Sequence, residues 1–430
     1  MNMYNIKRHW NIIFLHLLAH IIKGVTYTKA DIGTVRNGCI PIVRANNIQG
    51  DKLDYKDLVW VVESRIAPDQ FLRQGDVVVA TSSGSKHLVG KTASFDGKQK
   101  ISCGAFCAIL RPNNLVDNLF FKYFFQTQEY RNLISSYAKG SNINNLKNGD
   151  LAKIQIPVPP MAEQKRIVRK IEELFGLIDR DIQRLTDTLE QLSQFRQSVL
   201  HQAFSGKLYK TTNWTKKTLQ DLCLSVAKRK DSKNEQEHFL YLDIASIDNQ
   251  TNTIIGATPH TGVTAPSRAR QIVKNGDVLF STVRTYLKNI ALITDEKYHN
   301  QIASTGFCVI RANKKQLLPK FIYYYTLTDS FLSPLNAKQR GSSYPAVRDS
   351  DVLNSTIYLP TLPEQQKIVD EIEKAFRSAD KVQKAVQNAL EEAKKLKQSI
   401  LKKAFAGELV PQDPNDKPVD LTQIKKDKQK

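Results

Sequence analysis

One stretch of the sequence is unusually long and regular. Between residues 159 and 208, apolar side chains recur at steps of mostly three and four, from Ile167 to Ala203, which places them along one face of a helix. Pro159 and Pro160 suit the first turn of that helix, and Gly206 is positioned to end it. At about 1.5 Å per residue, roughly 43 helical residues would extend over roughly 64 Å. Such a helix far exceeds the usual globular length, so we expect it to pack against a second helix of similar length.

The second helix is predicted in the same chain, at residues 362–409. Matching residues occur there at a constant offset of 201, from Glu163 on Glu364 to Gly206 on Gly407. A repeat of that size indicates two duplicated domains rather than a short solenoid repeat.

Shorter landmarks repeat at the same offset. Gly75-Asp76 and Gly276-Asp277 each predict a turn followed by a buried strand. The strands FCAIL and FCVIR follow, which makes Cys107 equivalent to Cys308, and then the aromatic helices LFFKYFFQ and KFIYYYTL. Residues 25–70 and 225–270, in contrast, hardly resemble each other. A shared frame with diverged loops is what we expect of two binding domains with different targets.

The first residues of the chain carry an apolar run with two possible explanations. The run is as short as the core of a signal peptide, but it contains His16 and His20 and lacks a small-residue cleavage site. Its spacing also recurs in the second half, in the residues Trp10, Leu15, Leu18, Trp214, Leu219 and Leu222. We therefore predict a helix that opens the first domain.

The charge of the chain indicates a polyanionic partner. The 430 residues carry 63 Lys and Arg against 42 Asp and Glu, a formal net charge of +21, while 41% of the residues are hydrophobic. That composition is typical of a folded chain of two or three domains. Clustered cations bind nucleic acid favourably because counterions are released from the phosphates. Nucleic-acid binding is therefore the leading explanation of the net charge. Solubility alone is the alternative.

Cysteine usage favours a reducing compartment. The five cysteines show no paired spacing, which predicts the cytoplasm and no disulfide framework. Cys103 and Cys107 are close enough to suggest a metal site, but Cys107 lies in a strand-like segment. We interpret these cysteines as buried thiols, and we predict no metal site.

Several motifs together resemble one protein family. They are the openings PMAEQ at 160–164 and TLPEQ at 361–365, the closings AFSGKL and AFAGEL, and the tail AFAGELVPQDPNDKPV from Ala404. In order, spacing and duplication they resemble the specificity subunits of type I restriction–modification systems, over nearly the whole chain. That family has two target-recognition domains that alternate with two helical regions.

The resemblance implies a DNA-binding adaptor that catalyses nothing itself. Each recognition domain would read one half of a two-part, gapped DNA target, and the helices would set the gap and dock two methyltransferase subunits. Restriction subunits that translocate DNA would join the full complex. S-adenosylmethionine, ATP and Mg would be bound by those partner subunits, and this chain would bind no cofactor. We expect a cytoplasmic protein without membrane contact.

The predicted fold class is α+β, with two duplicated α/β domains separated by two long antiparallel helices with pseudo-twofold symmetry. Because an axis of this kind relates the two domains, one polypeptide forms the equivalent of a symmetric DNA-binding dimer. The predicted segments are recognition domain 1 at 1–160, helical spacer 1 at 161–207, recognition domain 2 at 208–361, helical spacer 2 at 362–408, and a basic tail at 409–430.

Candidate DNA contacts lie in the loops that follow the Gly-Asp strands and in two later Gly-Ser segments. Hydroxyls and cations in such places suit phosphates and base edges, and arginine suits guanine. In the first domain the candidates are Thr81, Ser82, Ser83, Lys86, Lys91, Lys139, Gly140 and Ser141. In the second domain they are Ser281, Thr282, Arg284, Tyr286, Lys288, Arg340, Gly341, Ser342 and Ser343. An ordinary solvated loop is the alternative for each residue.

Other functions find less support in the sequence. Gly84 lies one residue too far from Gly90-Lys91-Thr92 for a phosphate-binding loop, and no G-x-G-x-x-G or Asn-Pro-Pro-aromatic motif occurs. The aromatic runs at 120–125 and 323–325 could stack on bases, but their helical setting favours core packing. A coiled-coil scaffold without DNA binding remains the alternative function. It would explain the helices but neither the charge nor the diverged loops.

Overall fold

The computed structural model describes residues 10–33, 38–83, 88–139, 145–207, 214–230, 236–420 and 422. The chain divides into two compact units. Unit 1 consists of Met1–Arg184 together with Ala389–Lys430, and unit 2 is the continuous segment Leu185–Asn388. The boundary between them falls inside both long helices, so each unit contains a part of each helix. The predicted segment limits remain predictions.

The first half of the chain alternates short strands and helices before the first long helix. Its elements are β1 Asn11–Phe14, α1 Leu15–Leu18, β2 Ala19–Lys23, β3 Cys39–Val43, β4 Ile48–Gln49, β5 Lys52–Leu53, β6 Val59–Val62, β7 Val77–Ala80, β8 Thr92–Ser94, β9 Ser102–Cys103, β10 Cys107–Pro112, α2 Asn118–Phe124, α3 Gln128–Lys139, α4 Asn148–Ala152, β11 Gln155–Val158 and α5 Met161–Phe204.

The second half repeats that order with one more strand. Its elements are β12 Thr215–Thr218, α6 Leu219–Leu222, β13 Cys223–Leu224, β14 His238–Leu242, β15 Ile247–Asp248, β16 Thr253–Ile254, β17 Thr258–Thr261, β18 Ala269–Ile272, β19 Val278–Ser281, β20 Ile290–Leu292, β21 Ile302–Ser304, β22 Phe307–Ala312, α7 Pro319–Thr326, α8 Asp329–Ala337, α9 Asp349–Leu353, β23 Thr356–Leu359 and α10 Leu362–Phe405.

Both units contain the same antiparallel four-stranded sheet. Its strand order is β2-β10-β7-β8 in unit 1 and β13-β22-β19-β20 in unit 2. A second sheet has the order β6-β3-β9 in unit 1 and β17-β14-β21-β18 in unit 2, and it contains one parallel pair in each case, β3 with β9 and β14 with β21. The predicted α+β class with two duplicated domains is confirmed.

The duplication is shifted by one residue in β10 and β22. Ala108 packs in the core that contains the long helices of unit 1, and its counterpart in unit 2 is Cys308. Cys107 lies in the separate core on the other face of the sheet, where Phe307 is its counterpart. Because side chains alternate across a strand, a one-residue shift exchanges the two faces. The predicted equivalence of Cys107 and Cys308 is therefore wrong.

The two long helices are confirmed. α5 and α10 each have 44 residues, which corresponds to about 66 Å. Gly206 and Gly407 follow their last turns with φ of 74° and 70°, a left-handed conformation that glycine adopts at little cost. Several apolar residues of these helices are exposed, among them Phe195, Val382 and Leu396.

A buried glutamine joins each long helix to its domain. Gln164 accepts a hydrogen bond from the backbone amide of Asp117 at 2.7 Å, and Gln365 accepts one from the amide of Leu318 at 2.9 Å. Each glutamine also donates to the carbonyl five residues earlier, at 2.9 and 3.0 Å. The glutamine of the repeated helix openings thus has a structural role, because a buried amide requires partners of this kind.

One three-residue contact occurs in both units between parts of α5 and α10. In each case a cation pairs with a carboxylate and covers an aromatic ring. In unit 1 the cation lies 4.8 Å from the ring centroid, and in unit 2 the distance is 5.9 Å. The members are Phe175, Asp179 and Lys397 in unit 1, and Phe376, Asp380 and Arg196 in unit 2.

The predicted opening helix is only one turn long. Leu15–Leu18 lies between strands β1 and β2, and β1 pairs antiparallel with β11, so that Asn11 faces Val158. Strand pairing with a segment far along the chain overrides the local apolar pattern here. The repeated spacing itself is confirmed, because β12, α6 and β13 have the same arrangement.

The segment after α10 packs on unit 1. Asp416 forms an ion pair with Arg166 near the start of α5 at 2.6 Å, whereas Lys397 pairs with Asp179 farther along that helix. Ile400 and Phe405 of α10 pack in the same core as Ile167 of α5. Leu409, Val410 and Val419 cover the core of this unit. Residues 409–420 contain three aspartates and one lysine, so this part of the predicted basic tail is acidic.

The aromatic runs pack as predicted. Phe120, Phe121, Phe124 and Phe125 are fully buried, and Tyr325 is buried in unit 2. Within the part of the chain that the structure describes, no helix is both long and apolar enough to cross a membrane.

Candidate nucleic-acid interface

The ends of β7 and β19 hold two loops together in the same way. The backbone amide of Thr81 donates to Phe106 at 2.8 Å, and its carbonyl accepts from Leu146 at 2.7 Å. Thr282 makes the equivalent bonds to Gly306 and Val347, both at 2.9 Å. Each unit therefore joins the loop after its Gly-Asp strand to the segment before α4 or α9. These were the two regions that the sequence identified separately.

Three of the predicted contact residues at these strand ends are buried. Ser281 donates its hydroxyl to the carbonyl of Val283 at 2.9 Å, and Thr282 donates its hydroxyl to the carbonyl of Gly306 at 3.0 Å. Thr81 is also buried. Their main contribution is to position the loops that follow.

In unit 2 the two loops form one surface. Ala346 bridges to both Val283 and Arg340, and the amide of Arg284 donates to the carbonyl of Pro345 at 2.7 Å. The structure thus brings together the predicted residues of 281–288 and of 340–343. We call residues 282–288 with 340–347 the unit 2 loop pair.

A tight turn presents the first loop of this pair. Arg284 and Lys288 both have left-handed backbones, with φ of 48° and 55°, and they flank a single turn at Thr285–Leu287. Tyr286 is exposed at the tip. Lys288 pairs with Asp329 at 3.3 Å. Left-handed conformations are costly outside glycine and occur preferentially at functional sites.

The second loop of the pair is exposed. Gly341 has φ of 96°, which an L-residue rarely adopts, and Ser342 and Ser343 follow it on the surface. Arg340 forms an exposed ion pair with Asp351 at 3.2 Å. The sequence missed Tyr344, which is 72% exposed and lies against Arg284. A tyrosine after two serines carries no local sign of that contact.

Unit 1 has a corresponding but different surface. Ser82 bridges to Asn145 as Val283 bridges to Ala346, and Ser83 follows it. Lys91 is half-buried beside β8. Lys86, Gly140, Ser141 and the side chain of Lys139 lie outside the described residues. The sequence also missed Phe106, which is 68% exposed and whose carbonyl accepts from Ser82 at 3.1 Å.

A buried ion pair anchors the Gly-Asp turn in each unit. Arg111 and Asp76 approach to 2.7 Å, as do Arg311 and Asp277. Both aspartates are almost fully buried, and each arginine also donates to a neighbouring backbone carbonyl. The pairs fix the start of the strand that leads to the candidate loops. The equivalence of Arg111 and Arg311 was not apparent at the constant offset of 201, because β22 is shifted by one residue.

Burial keeps the thiols of four cysteines protonated. Burial raises the pKa of Cys107 and of Cys223 to about 12, and it raises the pKa of Cys103 and of Cys308 well above the ordinary value. A neutral thiol is a poor metal ligand and a poor nucleophile. In the described ranges no three His, Cys, Asp or Glu residues are grouped so that they could hold a metal ion.

An equivalent groove lies beside the aromatic helix in each unit. The groove of unit 1 has a volume of about 800 Å³ and includes Tyr123 and Phe175 in its wall, and that of unit 2 has about 770 Å³ and includes Tyr324 and Phe376. The ion-paired cation of each three-residue contact also lines its groove. These walls are therefore duplicated, whereas the exposed residues of the loops are not.

Comparison with known proteins identifies the family. The chain matches the family described as type I restriction modification DNA specificity domain over residues 7–191 and 211–392, which includes most of both halves. The chain belongs to this type I specificity family. It is 32% identical over 433 residues to the type I restriction enzyme EcoKI specificity subunit of Escherichia coli (strain K12), with 94% of this chain and 90% of that relative covered.

Other members of the type I specificity family agree. The type I restriction enzyme StySPI specificity subunit of Salmonella potsdam is 32% identical over 429 residues, with 96% of this chain and 92% of that relative covered. A chain from a structural study of complex assembly in the type I R-M system has a TM-score of 0.68 at 19% identity, with 94% of this chain and 100% of that chain covered. That structural likeness supports the fold.

Proposed function

We propose that the chain is the DNA-recognition subunit of a type I restriction–modification complex, and that each unit reads one half of a two-part, gapped target. The observation that carries the proposal is the family match over both halves, joined to two loop surfaces built on one backbone plan. Duplex DNA attracts the net charge of +21, and the exposed loops supply side chains for its phosphates and base edges.

The two half-sites should differ in sequence. Ser83 in unit 1 occupies the place of Arg284 in unit 2, and Phe106 occupies the place of Gly306, because the bridges and backbone bonds around them are equivalent. A serine and an arginine prefer different base edges. Identical half-sites would require similar side chains at these positions.

The helices and the grooves suit two further roles, which are setting the gap between the half-sites and binding a partner subunit. A pair of long helices can set the gap between the half-sites, because a helix is stiff over its length. Phe195 and Leu396, at equivalent positions of α5 and α10, are 45% and 52% exposed. Together with the duplicated grooves, they provide two similar surfaces for two copies of one partner. We infer that this partner is the methyltransferase subunit.

The chemistry belongs to those partners in this proposal. Two methyltransferase subunits would use S-adenosylmethionine, and restriction subunits would use ATP and Mg to translocate DNA, while this chain would bind no cofactor and catalyse nothing. The complex would act in the cytoplasm, without a membrane. Family membership is the support for these partners.

A coiled-coil scaffold without DNA binding is the less favoured function. It accounts for α5 and α10 but not for the excess of cations or for the diverged loops. The affinity of the assembled complex for duplex DNA should fall steeply as salt rises, because phosphate contacts release counterions. A scaffold would show no such binding.

The deciding experiment is a methylome. Cells that carry this gene with its methyltransferase partner are compared with cells that lack only this gene. We expect methyladenine at a two-part, gapped and asymmetric motif, and loss of that mark in the deletion. An unchanged methylome with the partner expressed would contradict the proposal.

A further inference from the structure

We propose that Arg284 reads a guanine in the half-site bound by unit 2, and that Tyr344 is the residue that positions its guanidinium. This inference rests on the proposed function and deepens it, because it names one base-reading residue and its base. It follows from the geometry of the unit 2 loop pair.

The backbone of Arg284 is fixed before any ligand binds. Its left-handed conformation, φ 48° and ψ 55°, is disfavoured for a residue with a side chain. The surrounding loop compensates, since its amide donates to Pro345 at 2.7 Å and the adjacent Val283 bridges to Ala346. The side chain therefore leaves the surface from a defined point.

The guanidinium is fixed as well. Its Nη2 donates to the carbonyl of Ser343 at 3.0 Å, and the guanidinium carbon lies 4.9 Å from the centroid of the Tyr344 ring. Both partners come from the second loop of the pair. Its Nε is buried without a hydrogen-bond partner among the described residues, so the donors that remain for a ligand are the other three N–H groups of Nη1 and Nη2, in a fixed plane.

The charge of Arg284 is not compensated by a neighbour. Lys288 and Arg340, the other cations of the same loop pair, lie 3.3 Å from Asp329 and 3.2 Å from Asp351. For Arg284, no carboxylate among the described residues lies at ion-pair distance. Its partners are neutral, so its positive charge remains available while its orientation is set.

A fixed planar fork suits a base better than a phosphate. Guanine presents O6 and N7 side by side in the major groove, and arginine binds both with parallel hydrogen bonds. Phosphates accept cations over a wide range of orientations, so they do not require a strained backbone or a stacked ring. Tyr344 covers the guanidinium and is 72% exposed, so its ring can shield these bonds from water.

The test uses the full chain assembled with its methyltransferase subunits. Competition binding is measured on duplexes in which each base pair of the target is replaced singly. We expect Arg284→Lys to lose most of the preference for one G·C pair, which corresponds to about 5- to 150-fold. Preferences in the other half-site, and the length of the gap, should not change.

Two further variants separate positioning from charge. Tyr344→Ala should weaken the same preference, and Tyr344→Phe should restore it, because the ring without its hydroxyl still covers the guanidinium. Arg340→Lys, which changes a cation of the second loop of the pair, is the matched control. It should change the affinity for all duplexes by the same factor and leave the recognised motif intact. Unfolding temperatures and assembly of each variant are measured alongside, so that misfolding is recognised.

Several results would overturn the inference. A uniform loss of affinity in Arg284→Lys, with the motif unchanged, would make Arg284 a phosphate contact. An unchanged preference at every base pair would remove it from the interface. If the wild-type complex prefers no gapped sequence at all, the proposed function fails and this inference fails with it. The two failures can be told apart, because the inference alone can fail while the wild-type complex still prefers a gapped sequence.

Discussion

At the scale of single residues, the buried ion pairs of the Gly-Asp turns are the most consequential contacts outside the loops. Asp277 is almost fully buried and receives two hydrogen bonds from Arg311, at 2.9 and 2.7 Å. Removing one member of a buried pair leaves the other charge without compensation.

We expect Arg311→Met to lower the free energy of unfolding of unit 2 by about 3–5 kcal/mol. The unfolding temperature of the purified chain would report the loss. Arg340→Met is the matched control, because its pair with Asp351 is exposed and should contribute about 0–1 kcal/mol. Equal losses in the two variants would contradict the structural role of the Arg311 pair.

Two equivalent glutamates are expected to respond to pH in opposite directions. Burial raises the pKa of Glu163, although Trp10 and Arg166 act against it, and hydrogen bonds from Thr361 lower the pKa of Glu364. A raised carboxyl pKa means that ionisation destabilises the folded state, so the penalty is present at neutral pH and disappears below the ordinary value of 4.5. A lowered pKa contributes stability at neutral pH that is lost in acid.

The variants follow from those signs. Glu163→Gln should raise the unfolding temperature near neutral pH, and Glu364→Gln should lower it. The difference for Glu163→Gln should shrink as the pH falls toward 4.5, and the difference for Glu364→Gln should shrink as the pH falls below 4.5. A melting series from about pH 3 to pH 8 tests this, and shifts of the same sign in both variants near neutral pH would refute it.

Individual contacts were the least predictable part of the chain. Arg284 was identifiable as a candidate because it is a cation after a predicted strand. Tyr344 was not, because its importance arises only when its loop folds back on Arg284. The similar sequences FCAIL and FCVIR suggested that Cys308 aligns with Cys107. In the structure Cys308 packs in the core that contains the long helices, which aligns it with Ala108 instead.

At the scale of elements, α5 and α10 were predictable because a period maintained over many turns outweighs local exceptions. Gly206 and Gly407 indicated where they end. It did not reveal that the first apolar run forms β1 and β2, since a strand that pairs with β11 depends on residues far away. Short apolar runs do not separate helix from strand.

The proposed spacing role of the helices is testable by insertion. One helical turn added within residues 180–195 extends a helix by roughly 6 Å, close to two base-pair steps. We expect the recognised gap to lengthen, or methylation to be lost, while both half-sites keep their sequence. The methylome of the variant gives the answer, and an altered half-site would refute the spacing role.

At the scale of the whole molecule, unit 1 depends on both ends of the chain. Residues 409–420 cover its core and supply Asp416 for Arg166. Deleting residues 409–430 should therefore destabilise unit 1 by an amount on the order of 2–4 kcal/mol and leave unit 2 unaffected. Hydrogen exchange resolved by segment can test this, and equal loss of protection in both units would contradict it.

The same division has a consequence for synthesis. A nascent polypeptide leaves the ribosome with its amino end first, and domains generally fold as they emerge. Unit 2 has all of its residues once Asn388 has emerged, whereas unit 1 still requires Ala389–Lys430. The half that is translated first is therefore completed last. A premature stop codon near the end of the coding sequence removes part of the first unit, while the second remains whole.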